Sequence, residues 1–230
     1  MDVSIVENRL RDAVEPHNLL CHPFYQAWSA GLLTRDDLRD YAAQYQHQVE
    51  AVPELLASAA QGSTDAESRQ VLERNLAEEL GAGGEPHSVL WKRFVEALGE
   101  ERAEPPAPET RESGERLREL SGRGGLEGLA ALWAYELQTS HVARTKLVGL
   151  AEHYDLVDPR ASSFFSVHEE LDVHHARALV GEVARCCVSE ADLERACLAA
   201  TASVQAQWLF LDGAQARRKT SHGTAGTLGE

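Results

Sequence analysis

The chain has 230 residues, enough to bury a hydrophobic core as a single domain. Its 22 basic and 37 acidic residues give a net charge of -15, which repels phosphate backbones and anionic lipid, so we expect no nucleic acid and no membrane as partner. The sequence contains no apolar run long enough to span a bilayer, and its N-terminus lacks the order of a signal peptide, so we expect a cytoplasmic protein.

Hydrophobic periodicity predicts helices along nearly the whole chain and shows no alternation typical of a sheet, so the predicted fold class is all-α. Caps, prolines and glycines mark the ends of these helices. In chain order they are one that ends at about Val14, Pro23 to Gly31, one that begins at Thr34, Asp65 to Leu80, His87 to Leu98, Leu126 to Tyr154, one after Asp158-Pro159, and Ser189 to Trp208. Pro53 should kink its helix, because its ring removes a backbone donor and clashes with the preceding turn.

Two segments are predicted to be irregular. Residues 99–114 are rich in Pro and Glu and are predicted to be a solvated linker within the domain. Residues 218–230 have nothing to bury, so this tail is predicted to be disordered. We therefore expect one all-helical domain over residues 1–217. The last helix carries Val204, Trp208 and Phe210, which we expect to pack in the bundle rather than to form the seam of a possible homodimer.

A polar triplet lies in the stretch SFFSVHEELDVHHARA (163–178). His168, Asp172 and His175 are spaced i, i+4 and i+7, so a helix places them on one face, the face that also carries Phe164 and Leu179. Two imidazoles and a carboxylate that point into a core need a partner, and a divalent transition metal suits these ligand types. The triplet alone would also fit a mononuclear site with two histidines and one carboxylate.

Further inward-facing ligands occur on the preceding helices. Glu136 lies in the middle of an apolar helix face, Glu79 projects from the buried side of its helix, and His87 follows shortly after. A lone inward Glu or His is more often a satisfied core group than a ligand, and Glu78 competes with Glu79 because a helix end can shift by a residue. The full set suits a dinuclear iron or manganese site in a helical bundle. It comprises Glu79, His87, Glu136, His168, Asp172 and His175.

Several segments between about residues 17 and 212 resemble the family of the chlamydial protein associating with death domains and its bacterial relatives. The segments that carry this resemblance are HPFYQAW (22–28), LTRDDLRDYAAQYQH (33–47), NLAEELGAGGEPHSVLWKRFVEALG (75–99), AALWAYELQTSHVARTKLVGLAEHYDL (130–156) and FFSVHEELDVHHA (164–176). The resemblance implies the fold of haem oxygenase-like di-metal oxidases, a seven-helix bundle with a dinuclear metal site in its core.

The resemblance also implies an activity, that of a self-sacrificing para-aminobenzoate synthase. Such proteins use dioxygen, an external reductant and a di-iron or iron-manganese centre, and their substrate is their own tyrosine. By the family's motif, Tyr25 is the side chain that is excised, Lys146 is the internal amino donor, and Tyr135 is a further tyrosine near the metals. From the residues alone, both tyrosines are more commonly ordinary core aromatics, and a lysine in the middle of a helix most often reaches solvent.

Two alternative functions stay open at the level of sequence. The run QYQHQVEAVP (44–53) replaces a more aromatic run of the family, so Gln46 and Glu50 could reshape the cavity. That change would suit a di-metal oxygenase of specialised metabolism that cleaves a free amino acid or fatty acid. The family name also suggests a protein-interaction adaptor without catalysis, but an adaptor would not need six inward-facing ligands.

Overall fold

The protein is described by a computed structural model that covers residues 1–99 and 104–224, with side chains up to residue 218. Within these ranges the secondary structure is helical and contains no strand, which confirms the predicted all-α class. The described residues form nine α-helices, and two short 3-10 turns precede α2. The helices are α1 (Val3–Val14), α2 (Pro23–Ser29), α3 (Arg35–Gly62), α4 (Ala66–Glu79), α5 (His87–Leu98), α6 (Pro108–Gly122), α7 (Gly125–His153), α8 (Pro159–Cys186) and α9 (Glu190–Thr224).

Local sequence sets where several of these helices begin. Thr34 and Asp37 form a capping box at the start of α3, in which each side chain binds the other's backbone N–H. Asp158 caps α8 by accepting from the Arg160 N–H. His22 does the same for α2, because its Nδ1 accepts from the Phe24 N–H at 3.0 Å. These caps fix the ends of helices that carry the predicted functional residues.

The structure corrects two predicted boundaries. The proposed linker 99–114 is too long, because α6 begins at Pro108 and buries Thr110 and Ser113. Proline suits the first turn of a helix, where its missing N–H costs nothing. The last helix does not end at Trp208 but continues to Thr224, since Phe210 still packs in the core. Residues 218–224 of the tail predicted to be disordered are therefore helical. Residues 100–103 of the predicted linker and 225–230 of the predicted disordered tail lie outside the described residues.

Helix α3 is continuous from Arg35 to Gly62 and contains Pro53 in its interior. Val204 and Phe210 of α9 are buried within the bundle, as expected, whereas Trp208 is only half-buried against the core. No helix of the described ranges is long and apolar enough to cross a membrane.

Two hydrophobic clusters lie along the bundle, and α7 and α8 contribute to both of them. On α7, Leu137 packs in the first cluster and Val142 in the second. On α8, Phe165 packs in the second cluster and Ala176 in the first. The segments of α7 and α8 between these residues therefore pass from one cluster to the other, and Asp172 lies within the α8 segment. The predicted metal ligands thus lie in the interior, near the junction of the two clusters.

Candidate metal centre

The structure brings all six predicted ligands together from four helices, α4, α5, α7 and α8. They form two groups, which we call the metal-type groups. In each group, one ligand atom per residue lies within 4.8 Å of the others. All six side chains are buried. The first group consists of Glu79, His87 and His168, and the second of Glu136, Asp172 and His175.

In the first group, both imidazoles approach the same carboxylate oxygen. His87 Nδ1 lies 2.9 Å from Glu79 Oε1 but makes no hydrogen bond, and His168 Nε2 lies 3.9 Å from that oxygen. His168 Nδ1 lies 2.7 Å from the carbonyl oxygen of Phe164, which can only accept, so Nδ1 carries the proton. Burial lowers the pKa of His168 to about 4. The ring is therefore neutral and its Nε2 presents a lone pair to the group, as a metal ligand requires.

In the second group, Glu78 fixes the orientation of an imidazole from outside. Glu78 Oε2 lies 2.6 Å from His175 Nε2, while His175 Nδ1 faces inward, 3.7 Å from Glu136 Oε2. Burial lowers the pKa of His175, but the carboxylates of Glu136 and Glu78 outweigh this effect and raise the pKa to about 9. A carboxylate on the outer nitrogen is the usual partner of a metal-ligating histidine. The structure therefore places Glu79 in the first group and Glu78 behind His175, an arrangement that favours Glu79 as the ligand.

Four buried nitrogen and oxygen atoms of these groups have no hydrogen-bond partner within the described residues. Asp172 is fully buried, and neither of its carboxylate oxygens accepts a hydrogen bond. Burial, with the nearby charges of Glu136 and Glu79, raises the pKa of Asp172 well above its ordinary value. The inward Nδ1 atoms of His87 and His175 are also without a hydrogen bond. Because buried polar atoms are normally paired, this set of nitrogen and carboxylate donors fits two ions such as iron or manganese.

A second buried cluster surrounds the amine of Lys146. Its side chain is only 3% exposed, and its Nζ donates a hydrogen bond to the Tyr41 hydroxyl. We call the five rings around this amine the aromatic cage. The distances from Nζ to the ring centroids are 5.0 Å for Tyr25, 5.5 Å for Trp28, 4.6 Å for Tyr41, 4.9 Å for Tyr45 and 5.4 Å for Phe165. The common expectation of a solvent-facing lysine is therefore wrong for this position.

Burial lowers the pKa of Lys146 well below its ordinary value of 10.5, which favours the neutral, nucleophilic form of the amine. The Tyr25 hydroxyl lies 3.1 Å from the Tyr41 hydroxyl, which links Lys146 to Tyr25 through Tyr41. Burial raises the pKa of Tyr25 and Tyr41, so both phenols keep their protons. The cage therefore holds a phenol and a free amine side by side.

Tyr135 lies outside the cage and lines a small cavity with Glu79, Glu136, His168 and Asp172. Tyr45 lines this cavity and also a second one that touches Tyr25.

Tyr45 therefore lies between the metal-type groups and Tyr25. Tyr41 and Tyr45 were not predicted as site residues, although their spacing of four residues on α3 places them on one helix face.

Both internal cavities are small. Their volumes are about 10 Å³ beside the metal-type groups and about 20 Å³ beside Tyr25, each roughly the room for one water molecule. Gln46 does not reach either cavity, because its amide donates to Glu50 at 2.8 Å at the surface. The expectation that Gln46 and Glu50 reshape the internal cavity is therefore wrong.

Comparisons with known proteins agree on a family. A family model described as an iron-containing redox enzyme matches residues 39–208. A 4-aminobenzoate synthase of Nitrosomonas europaea is 35% identical, with 93% of this chain and 92% of the relative covered. A 4-aminobenzoate synthase of Chlamydia muridarum is 37% identical, with 74% of each chain covered.

Solved structures show the same fold at low sequence identity. A domain of unknown function with a heme oxygenase-like fold from Shewanella denitrificans superposes with a TM-score of 0.80 at 17% identity, covering 100% of this chain and 99% of its own. A CADD-like protein of unknown function from Nostoc punctiforme gives a TM-score of 0.79 at 20% identity, covering 94% and 98%. These matches confirm the haem oxygenase-like fold, which residues 1–99 and 104–224 divide into nine helices where seven were expected.

Proposed function

The chain belongs to the iron-containing redox enzymes of haem oxygenase-like fold, and on that basis we propose that it is a dioxygen-dependent synthase that makes 4-aminobenzoate from its own Tyr25. The family makes it an oxidoreductase rather than an interaction module. The observation that carries the finer proposal is the enclosure of the Lys146 amine in a cage that includes the Tyr25 ring, 5.0 Å away. A primary amine and a phenol are the two groups from which an aminobenzoate could be assembled.

The six clustered ligands would hold two metal ions, iron alone or iron with manganese. Ions bound there would supply the redox chemistry with dioxygen and an external reductant. The protein's own contribution is geometry: Glu78 holds His175, the Phe164 carbonyl holds His168, and buried walls exclude water. Tyr135 and Tyr45 line the cavity beside these groups and are the phenols nearest to them in this arrangement of cavities.

The product's structure assigns roles to the atoms of Tyr25 and Lys146. 4-Aminobenzoate carries one carbon para to its amine, and a tyrosine ring carries Cβ para to its phenol oxygen. The Cα–Cβ bond of Tyr25 would therefore break and leave a hydrogen on Cα, and Cβ would become the carboxyl carbon with both of its oxygens from dioxygen. The Lys146 nitrogen would replace the phenol oxygen, which would leave as water. The Cε–Nζ bond of Lys146 would break as Cε is oxidised and hydrolysed to an aldehyde. Dioxygen is the oxidant of this conversion. The lone pair of the neutral Lys146 amine is what forms the new carbon–nitrogen bond.

The size of the cavities favours an internal substrate over a free one. Pockets for small molecules usually measure about 300 to 1,000 Å³. The two internal cavities measure about 10 and 20 Å³, so a free amino acid or fatty acid has no room beside the metal-type groups. A tyrosine that is already part of the wall needs no such room.

The test is a single-turnover experiment without added substrate. Metal-free protein is loaded with ferrous iron, alone or with manganese, then given reductant and air, and both protein and small molecules are analysed by mass spectrometry. We expect 4-aminobenzoate and a matching mass loss at Tyr25. Tyr25→Phe should abolish release, while Tyr154→Phe, a half-buried tyrosine outside the cage, should not. Oxygen consumption with Tyr25 intact would refute the proposal and indicate a free substrate.

A further inference from the structure

The cavity of about 20 Å³ beside Tyr25 has a polar wall that the proposed reaction does not use. Its lining is mostly apolar, but it also includes the buried glutamines Gln48 and Gln207. Gln207 is only 7% exposed, and its Nε2 donates to no partner. A buried N–H group without a partner is unfavourable, so a ligand that accepts a hydrogen bond from it would gain affinity.

Gln48 separates this cavity from solvent. Its Nε2 donates to Ser113 Oγ at 3.0 Å, which joins α3 to α6. The same residue also lines an open groove of about 200 Å³ between these helices. The groove carries Arg111 and Arg118, the latter paired with Glu54. Gln48 therefore lies between the cavity and a groove that carries two guanidinium groups.

We propose that this cavity, once enlarged by loss of the Tyr25 ring, is a pocket for the benzoate-class product, whose carboxylate accepts from Gln207 and leaves past Gln48. The ligand's identity rests on the proposed function. The phenol end of the ring already lies against Tyr41, beside Lys146, so the new amine forms there. The carboxylate forms at the other end of the ring and is the group that still needs a hydrogen-bond donor.

Burial of a carboxylate in an apolar cavity is unfavourable, and the position of Gln48 reduces this cost. A carboxylate beside Gln48 lies next to the open groove rather than deep in the core. A cavity of about 20 Å³ is far too small for an aromatic ring, so the pocket exists only when the Tyr25 ring is absent. The unreacted protein should therefore not bind the product.

Binding to metal-free protein tests this inference without any turnover. Tyr25→Gly reproduces the chain that excision would leave, and Tyr25→Phe keeps the space filled. Titration calorimetry with 4-aminobenzoate should show binding to Tyr25→Gly and none to Tyr25→Phe. Adding Gln207→Leu to Tyr25→Gly should weaken binding at least tenfold. Gln205→Leu, an exposed glutamine two residues away on α9, is the matched control and should leave the affinity unchanged.

A second ligand separates the carboxylate contact from general packing. 4-Methylaniline has the same ring and amine but no carboxylate, so Gln207→Leu should not weaken its binding. Equal weakening of both ligands, or failure of Tyr25→Gly to bind 4-aminobenzoate while circular dichroism shows an intact fold, would overturn the inference. If Tyr25→Gly does not fold, Tyr25→Ala serves in its place.

The outcome is independent of the proposed reaction, because no metal or dioxygen is present. Excision of Tyr25 without binding by Tyr25→Gly would refute the pocket and leave the synthase proposal in place.

Discussion

Lys146→Met should stabilise the metal-free protein while it abolishes aminobenzoate release. Methionine is unbranched and of similar length, so it fills the aromatic cage without the buried amine. In the unfolded chain the lysine has its ordinary pKa of 10.5, whereas burial in the folded protein lowers this pKa well below that value. At a pH between these two pKa values, the Lys146 amine takes up one proton when the protein unfolds. The unfolding free energy of the wild type therefore rises with pH, by about 1.4 kcal/mol per pH unit from this group.

The variant lacks this proton uptake, so the difference in unfolding free energy between variant and wild type depends on pH. Lys146→Met is the more stable protein near neutral pH, and its advantage shrinks by about 1.4 kcal/mol for each unit of pH within that window. The lost hydrogen bond to Tyr41 lowers the advantage by about 1 kcal/mol at every pH, since the Tyr41 hydroxyl keeps Tyr25 as a partner. Stability and activity thus change in opposite directions at one side chain.

Urea denaturation at several values between about pH 7 and 9 measures this slope. Wild type, Lys146→Met and Lys92→Met are compared without metal, and the exposed Lys92 is the matched control, for which we expect no slope. A difference between wild type and Lys146→Met that stays constant with pH would mean that the amine keeps its ordinary pKa. That result would refute the free, nucleophilic amine on which the proposed chemistry depends.

Two further substitutions test packing and metal binding. In Gly149→Ala the added Cβ would lie 2.7 Å from Cδ1 of the buried Trp28. This overpacking should lower the unfolding free energy by about 1–3 kcal/mol, which outweighs the gain of about 1 kcal/mol from the higher helix propensity of alanine. The variant should therefore be less stable than the wild type. Gly181→Ala meets no atom within 4 Å and should be stabilising, so a Tm for Gly149→Ala as high as that of this control would contradict the argument. Glu78→Gln should weaken metal affinity about 10- to 100-fold by loosening His175, as measured by chelator competition. Unchanged affinity would show that Glu78 does not support a ligand.

The metal-type residues could be predicted from the sequence because helical periodicity decides which side chains share a face. His168, Asp172 and His175 follow from one helix alone, and their burial confirms the face assigned to them. The choice between Glu78 and Glu79 needed the structure, because α4 ends at Glu79 and the register of a helix end depends on packing.

The aromatic cage could not be predicted from periodicity, since it depends on how α2, α3, α7 and α8 meet. Tyr41 and Tyr45 share a face of α3, but nothing local indicates that Lys146 of α7 points at that face. The linker prediction failed for a similar reason. Its Pro- and Glu-rich composition resembles a solvated segment, whereas Thr110 and Ser113 are buried and hydrogen-bonded to Gln44 and Gln48 of α3.

Helix α8 provides ligands to both metal-type groups, His168 to the first and Asp172 and His175 to the second. An ion bound at either group would fix the rotation of α8 about its axis, and with it the ligands of the other group. The two binding events are then thermodynamically linked, and by reciprocity each ion raises the affinity for the other. Titration of the metal-free protein should accordingly be cooperative, with two ions entering in one steep step and few molecules holding a single ion.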